Sequence, residues 1–227
     1  MYSESKVALE GRGFKPIVLV KKEFFRKLTA NLYFVYSALE EEIQRHLNHP
    51  VVSSIYFPEL DRKAKLEEDL AFYYGENWQE EIVASEGSKA YITRIQKVAS
   101  TEPALLVAHA YVRYMGDLSG GQSLKNIARS AMNLPPDQGT GLHEFDQIAT
   151  VEARRAFKGK YRDALNSLPV DETLAQKIVE EANKAFTLNR NLADELEPDV
   201  KAAIGEEEFE RLTRKEQPGS TEASVAR

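Results

Sequence analysis

Apolar residues recur at spacings of three and four along most of the chain, the period of helices with one buried face. In KKEFFRKLTANLYFVYSALEEEIQRHL, starting at Lys21, the residues Phe25, Leu28, Leu32, Val35, Tyr36, Leu39 and Ile43 fall on one side. They predict a long amphipathic helix that ends before His49-Pro50. The same spacing predicts a helix from about Lys63 to Tyr74, stopped by Gly75, and another from about Ser88 to Ala99. Thr101-Glu102-Pro103 reads as N-cap, N1 and N2 of a helix that runs through 111–132 and ends at Asn133-Leu134-Pro135-Pro136. Residues 137–141 are turn formers. Two more helices follow, one over 148–166 and broken at Pro169, the other from Asp171-Glu172-Thr173 to about Leu196. Strand-like alternation never lasts more than a few residues, and no internal repeat is visible.

The pattern therefore predicts an all-α protein with one helical domain over 21–198. Residues 1–20 have no clean period and two glycines close to a proline, so they read as an irregular or truncated segment. Residues 199–227 read as a charged tail, small and polar from Gln217, expected to be disordered.

Composition narrows the function classes. The 227 residues include no cysteine, so disulfides, thiolate metal sites and a Cys nucleophile are excluded. A formal net charge of -6 argues against nucleic acid as a partner, because that needs a basic face. No apolar run approaches the ~20 residues of a membrane span, and no secretory leader is apparent. The expectation is a soluble protein of the cytoplasm, with no membrane partner.

YVRYMGDLSGGQSLKNIARSAM, residues 111–132, then stands out. Gly116, Gly120 and Gly121 interrupt an otherwise helical pattern, and each costs about 1 kcal/mol relative to Ala in a helix interior. At i, i+4 and i+5 they form a bare strip of backbone, extended by Ser119. Such a strip permits either close helix–helix packing or the approach of something flat. The polar residues Arg113, Asp117 and Gln122 beside it favour a pocket, since polar groups along a tight seam need partners.

These residues also carry a resemblance. The run YVRYMGDLSGGQ followed by LKNIA resembles the distal-helix signature of the heme oxygenase family, of the cyanobacterial and algal type. LYFVYSALEEEI, FPELDRKAKLEEDLAFYYG, TEPALLVAHAYVRYMGDLSGGQ and EEANKAFTLN are similar to further segments of those enzymes, in the same order, over roughly residues 21–196. The resemblance implies a single-domain, heme oxygenase-like helical bundle. It also implies oxidative cleavage of heme to biliverdin, CO and ferrous iron, with heme as both substrate and cofactor. Dioxygen would be the oxidant, with electrons from NADPH through reduced ferredoxin, the implied protein partner.

By the same resemblance, Gly116 and Gly120 approach the heme face and Gly121 lets the helix bend. Asp117 would deliver a proton through a water network during oxygen activation, with Arg113 and Tyr36 in the same hydrogen-bond network. Lys158 and Arg162, four residues apart in FKGKYR, would contact the heme propionates together with Tyr111, and Phe186 would pack against the ring. Candidate ferredoxin-facing cations are Lys21, Lys22, Arg26 and Lys27, and also Lys125 and Arg129, although ordinary solvated helix faces are the favoured reading of them.

One departure leaves the iron ligand unassigned. The family pattern places a proximal histidine near the N-terminus, in a stretch resembling R-E-G-T-x-x-x-H-x-x-A-E. None of His46, His49, His109 and His143 matches it, and His109 reads as a core or interhelical histidine. Tyr2-Ser3-Glu4-Ser5 resembles the residues just after that histidine, and VALEGRGFKPIVLV matches poorly. The departure fits a displaced start. It also fits a non-catalytic homologue that binds heme or a linear tetrapyrrole. A purely structural bundle, with glycines serving only packing, is the reading from a different class.

Overall fold

The computed structural model describes residues 14–206. Residues 1–13 of the irregular segment and 207–227 of the expected tail lie outside the described residues. Eight longer helices carry the architecture: α1 (Phe14–Arg45), α2 (Lys63–Tyr74), α3 (Glu86–Thr101), α4 (Leu106–Ser119), α5 (Gly121–Met132), α6 (Val151–Asn166), α7 (Glu172–Glu195) and α8 (Glu197–Ile204). No strand occurs among the described residues. None of their helices is long and apolar enough to cross a membrane.

Helix α1 is the spine. Leu32, Val35, Tyr36, Leu39 and Ile43, at the spacings read from the sequence, are all buried. They pack on α2 and α3 to one side and on α4 and α5 to another. Helix α7 lies along α3 and α4, and α8 returns to α1. Three helix starts carry side-chain caps, of which Asp171 was read from the sequence. Ser85, Thr150 and Asp171 accept from the backbone N–H groups of Ser88, Ala153 and Leu174, satisfying donors with no intrahelical partner. Gly75, at φ +92°, closes α2 in a conformation that a side chain would strain.

The structure differs from the expected elements in four places. Helix α1 begins at Phe14, inside the stretch expected to be irregular. Helix α8 carries helical backbone to Ile204, past the expected start of the tail. Thr101 is not an N-cap but the last residue of α3. The Glu102 N–H still bonds back to Val98, and Pro103–Leu105 forms a 3-10 turn before α4 starts. Finally, the glycine stretch is two helices rather than one, interrupted at Gly120.

Candidate functional site

Helix α4 crosses the core, so its polar residues are buried by the packing that holds it. Asp117 and Arg113 are one helical turn apart and only 6% and 7% exposed. Buried charges need partners, and these two find them in each other, on α1 and on α7. The fully buried Tyr36 of α1 donates its hydroxyl hydrogen to Asp117 Oδ2. The Arg113 guanidinium lies 4.9 Å from the centre of the Tyr36 ring, with Nη2 3.8 Å from Asp117 Oδ1. Its Nη1 donates to Asn189 Oδ1 on α7. Burial pushes the Tyr36 phenol well above its ordinary range, so it stays a hydrogen-bond donor. Burial alone would lower the Arg113 pKa, but Tyr36 and Asp117 outweigh it and the net shift is upward.

Beside this cluster lies a cavity of about 540 Å³. Its floor is Gly116 and Gly120, and its walls include Phe24, Phe25 and Leu28 from α1 and Leu192 from α7. Asp117 and Arg113 line it too, giving an apolar slot with a carboxylate at its inner edge. The glycines are what keep it open. A Cβ on Gly116 would meet nothing within 4 Å, and one on Gly120 would meet only the Gly116 carbonyl oxygen, at 3.7 Å. This space is not consumed by helix packing, so the packing reading of these two glycines fails.

Gly121 lines the same cavity but is not bare as Gly116 and Gly120 are. A Cβ there would stand 2.6 Å from Nδ1 of His143, so Gly121 admits an imidazole rather than a ligand. His143 also lines the cavity. Sequence reasoning passed over it because it follows a turn-rich loop, and nothing local says that the loop folds onto α5. It also left out Asn189, three residues beyond Phe186 in a segment it had singled out.

A second pocket of about 250 Å³ shares Val112 and Gly116 with the first. It brings together Tyr111, Lys158, Arg162 and Phe186, from α4, α6 and α7. Tyr111 and Phe186 are 38% and 54% exposed. Two apolar slots meeting at a bare glycine, with a cation pair at one mouth and a buried carboxylate at the other end, suit a flat, largely apolar molecule bearing acidic groups on one edge. Heme has that chemistry, and the residues present fit it.

The other histidines do not open onto either pocket. His46 Nδ1 lies 2.8 Å from the Glu42 carbonyl oxygen, and the His49 ring accepts from Val51 N–H. His109 is fully buried, with Nε2 3.0 Å from Glu181 Oε1, and Arg94 grips the same carboxylate. It is the interhelical residue expected. Burial alone would raise the Glu181 pKa, but Arg94 and His109 together hold it well below the usual carboxylate range. Among the described residues no group of three or more potential metal ligands converges.

The candidate ferredoxin-facing cations are already engaged. Arg26 pairs with Glu23 at 3.1 Å and covers the Tyr74 ring, and Lys27 reaches Asp199 at 2.8 Å. Lys22 lies 5.4 Å from the centre of the Phe72 ring. The Lys21 side chain lies outside the described residues. Lys125 and Arg129 both bind Glu144, at 2.6 and 3.0 Å. Most of these charges serve internal pairs, so neither group forms the open basic patch considered from sequence.

The comparisons with known proteins agree with this geometry. The family model described as heme oxygenase matches residues 4–195. The chain is 56% identical over 205 residues to heme oxygenase 2 of Synechocystis sp., covering 90% of this chain and 82% of that one. Over 208 residues it is 51% identical to heme oxygenase 1 of Nostoc sp., covering 92% and 86%. The crystal structure of the Synechocystis heme oxygenase-2 in complex with heme and NO superposes with a TM-score of 0.86 at 52% identity, covering 96% of this chain and 91% of that one. By sequence, by fold and by the glycine-floored slot beside a buried carboxylate, the chain belongs to the heme oxygenase family.

Proposed function

We infer that the protein is a heme oxygenase, cleaving heme to biliverdin, CO and ferrous iron with dioxygen and reducing equivalents. The observation that carries this reading is the open floor at Gly116 and Gly120 beside the Tyr36–Asp117–Arg113 cluster. Heme, when bound, supplies both the ring that is cleaved and the iron that activates dioxygen.

The protein's own residues bind, orient and manage protons. Phe24, Phe25, Leu28 and Leu192 exclude bulk water from the apolar ring faces. Lys158 and Arg162, with the Tyr111 hydroxyl, would hold the propionates, and Phe186, which lines the same pocket, would pack against the ring. Gly116 and Gly120, which leave open space in the cavity, would make room beside a bound ring for a small molecule and water. Asp117 is held in place by Tyr36 below and Arg113 beside it, so its free lone pairs face the cavity and order those waters. Proton delivery then runs through the waters that Asp117 orders, with no bulky acid pressed against the reacting atoms. The Tyr36 hydroxyl stays protonated throughout because burial keeps its pKa high.

Reduced ferredoxin is the electron donor in this reading, with NADPH upstream of it, and the cytoplasm is the compartment. Their support is likeness to the Synechocystis and Nostoc enzymes. The test is direct. Purified protein is titrated with hemin and the Soret band recorded, and then ferredoxin, its reductase and NADPH are added. Saturable binding followed by biliverdin absorbance is the expected result. A protein that binds no hemin, or binds it and never yields biliverdin with any reductant, overturns the reading.

A further inference from the structure

His143 is the one imidazole among the described residues that lines the glycine cavity. Its segment is fixed from several directions. Asp69 accepts from the backbone N–H groups of Gly141 and Leu142, and Gln122 Nε2 donates to the His143 carbonyl oxygen. Lys125 and Arg129 hold the next side chain, Glu144, while Arg62 donates to the Glu144 carbonyl oxygen. The ring is pressed against Gly121 so closely that any Cβ there would collide with Nδ1.

This packing decides how the ring presents itself. Nδ1 is buried with no hydrogen-bond partner. A hydrogen on Nδ1 would be a buried donor with no acceptor, whereas a bare Nδ1 lone pair facing the Gly121 Cα–H is the cheaper arrangement. The neutral ring therefore carries its hydrogen on Nε2, which bonds to no described protein group. Burial lowers the His143 pKa, with Arg113 from α4 and Lys125 from α5 acting in the same direction and Asp117 from α4 and the adjacent Glu144 opposing it. Asp117 offers acceptor oxygens, and Arg113 is engaged with Tyr36 and Asn189 while its Nε has no hydrogen-bond partner.

We propose that His143 is a positioning residue of the glycine cavity: its Nε2–H is a fixed hydrogen-bond donor to water or a small anion lodged over Gly116 and Gly120, and Gly121 is bare so that the ring can take that place. With an accepting carboxylate at one end and a donor at the other, the water chain has one preferred direction. The proposal's functional weight rests on the heme oxygenase reading, but its first test does not.

In the protein without heme, nitrogen NMR of the His143 ring reads tautomer and pKa. The expected result is the Nε2–H form, with a pKa below the ordinary histidine value that falls further in Asp117→Asn. An Nδ1–H form, or a pKa indifferent to Asp117→Asn, overturns the proposal. In the ferric heme complex, fluoride is the probe, a small anion sensitive to nearby donors. His143→Phe weakens fluoride binding about tenfold, His143→Gln restores most of it, and Gly121→Ala, which displaces the ring, mimics His143→Phe. Equal fluoride affinity in all four proteins, at matched melting temperatures, sinks the proposal while leaving heme binding intact. A protein that takes up no hemin sinks the functional reading instead, and the ring titration still decides the proposal.

Discussion

The Tyr36 hydroxyl and the Asp117 carboxylate, 81 residues apart in the chain, meet in the buried interior, the hydroxyl donating to Oδ2. One oxygen of Asp117 is thereby tied to α1, while Arg113 stands near the other. A carboxylate so held cannot swing away from the cavity.

Replacing that carboxylate tests the proton role. Asp117→Asn keeps the shape and an acceptor but removes the charge that orders water. Hemin binding is expected to persist, with biliverdin formation slowed on the order of 100-fold, the usual scale of lost acid–base assistance. Single-turnover absorbance separates the two effects, and unchanged turnover contradicts the assignment.

Gly116 sets function against stability. An alanine there meets no neighbour within 4 Å and favours the helix by about 1 kcal/mol. Gly116→Ala is expected to raise the melting temperature of the heme-free protein by roughly 2–4 °C while weakening hemin binding. A variant with tighter or unchanged binding contradicts the view that this floor accepts the ring.

The cation pair has its own signature. Lys158→Ala with Arg162→Ala is expected to weaken hemin affinity by at least about tenfold, the scale of losing one to two kcal/mol of charge-assisted contact. Hemin dimethyl ester, which lacks the charged edge, is expected to bind wild type and the double variant alike.

Glu40 predicts a pH dependence of stability. It accepts from the backbone N–H groups of Arg62 and Lys63, yet burial pushes its carboxyl from the ordinary 4.5 up to about 7. The folded state thus holds a proton that the unfolded chain has released. This contribution is complete below about pH 4.5 and is lost as pH rises towards 7. The loss is on the order of 2 to 3 kcal/mol. Glu40→Gln is expected to flatten the stability profile across that window in denaturant titrations. An equally steep profile in the variant assigns the dependence elsewhere.

Glu181 carries the opposite sign. Arg94 and His109 depress its carboxyl, so its contribution is present above the ordinary carboxylate range and fades in acid as the carboxylate takes up a proton. Glu181→Gln breaks a buried charge cluster joining α3, α4 and α7 and is expected to cost about 3 kcal/mol at neutral pH. Chemical denaturation measures it, and a cost under 1 kcal/mol would mean that the cluster is not a staple.

Local pattern made the helices and their caps legible, because Asp171, Gly75 and the Leu32–Ile43 stripe act within one or two turns. It also marked Gly116, Gly120 and Asp117, since bare backbone beside charge is unusual inside a helix. The Lys158–Arg162 pair was visible as spacing, whereas its grouping with Tyr111 came from the family resemblance alone. What pattern could not reveal are contacts made by chain segments far apart. His143 enters the cavity because Asp69, 74 residues earlier, holds the Leu142 backbone. Lys125 and Arg129 looked like a docking patch because Glu144, which neutralises them, sits beyond a loop. The start of α1 at Phe14 was obscured by Gly11, Gly13 and Pro16, which disrupt periodicity whatever the backbone does.

Helix α1 belongs to two regions at once. Near its middle Tyr36 and Leu39 are locked in the interior, while about three turns earlier Phe24, Phe25 and Leu28 form one side of the slot. From Tyr36 back to Phe25 is roughly 16 Å of rigid rod, so a tilt of about 10° about the anchored centre would shift the aromatic side by close to ~3 Å. That is nearly the thickness of a porphyrin. The same helix therefore supports Asp117 and walls the slot, so a change that shifted α1 would disturb the aim of the acid and the width of the mouth together.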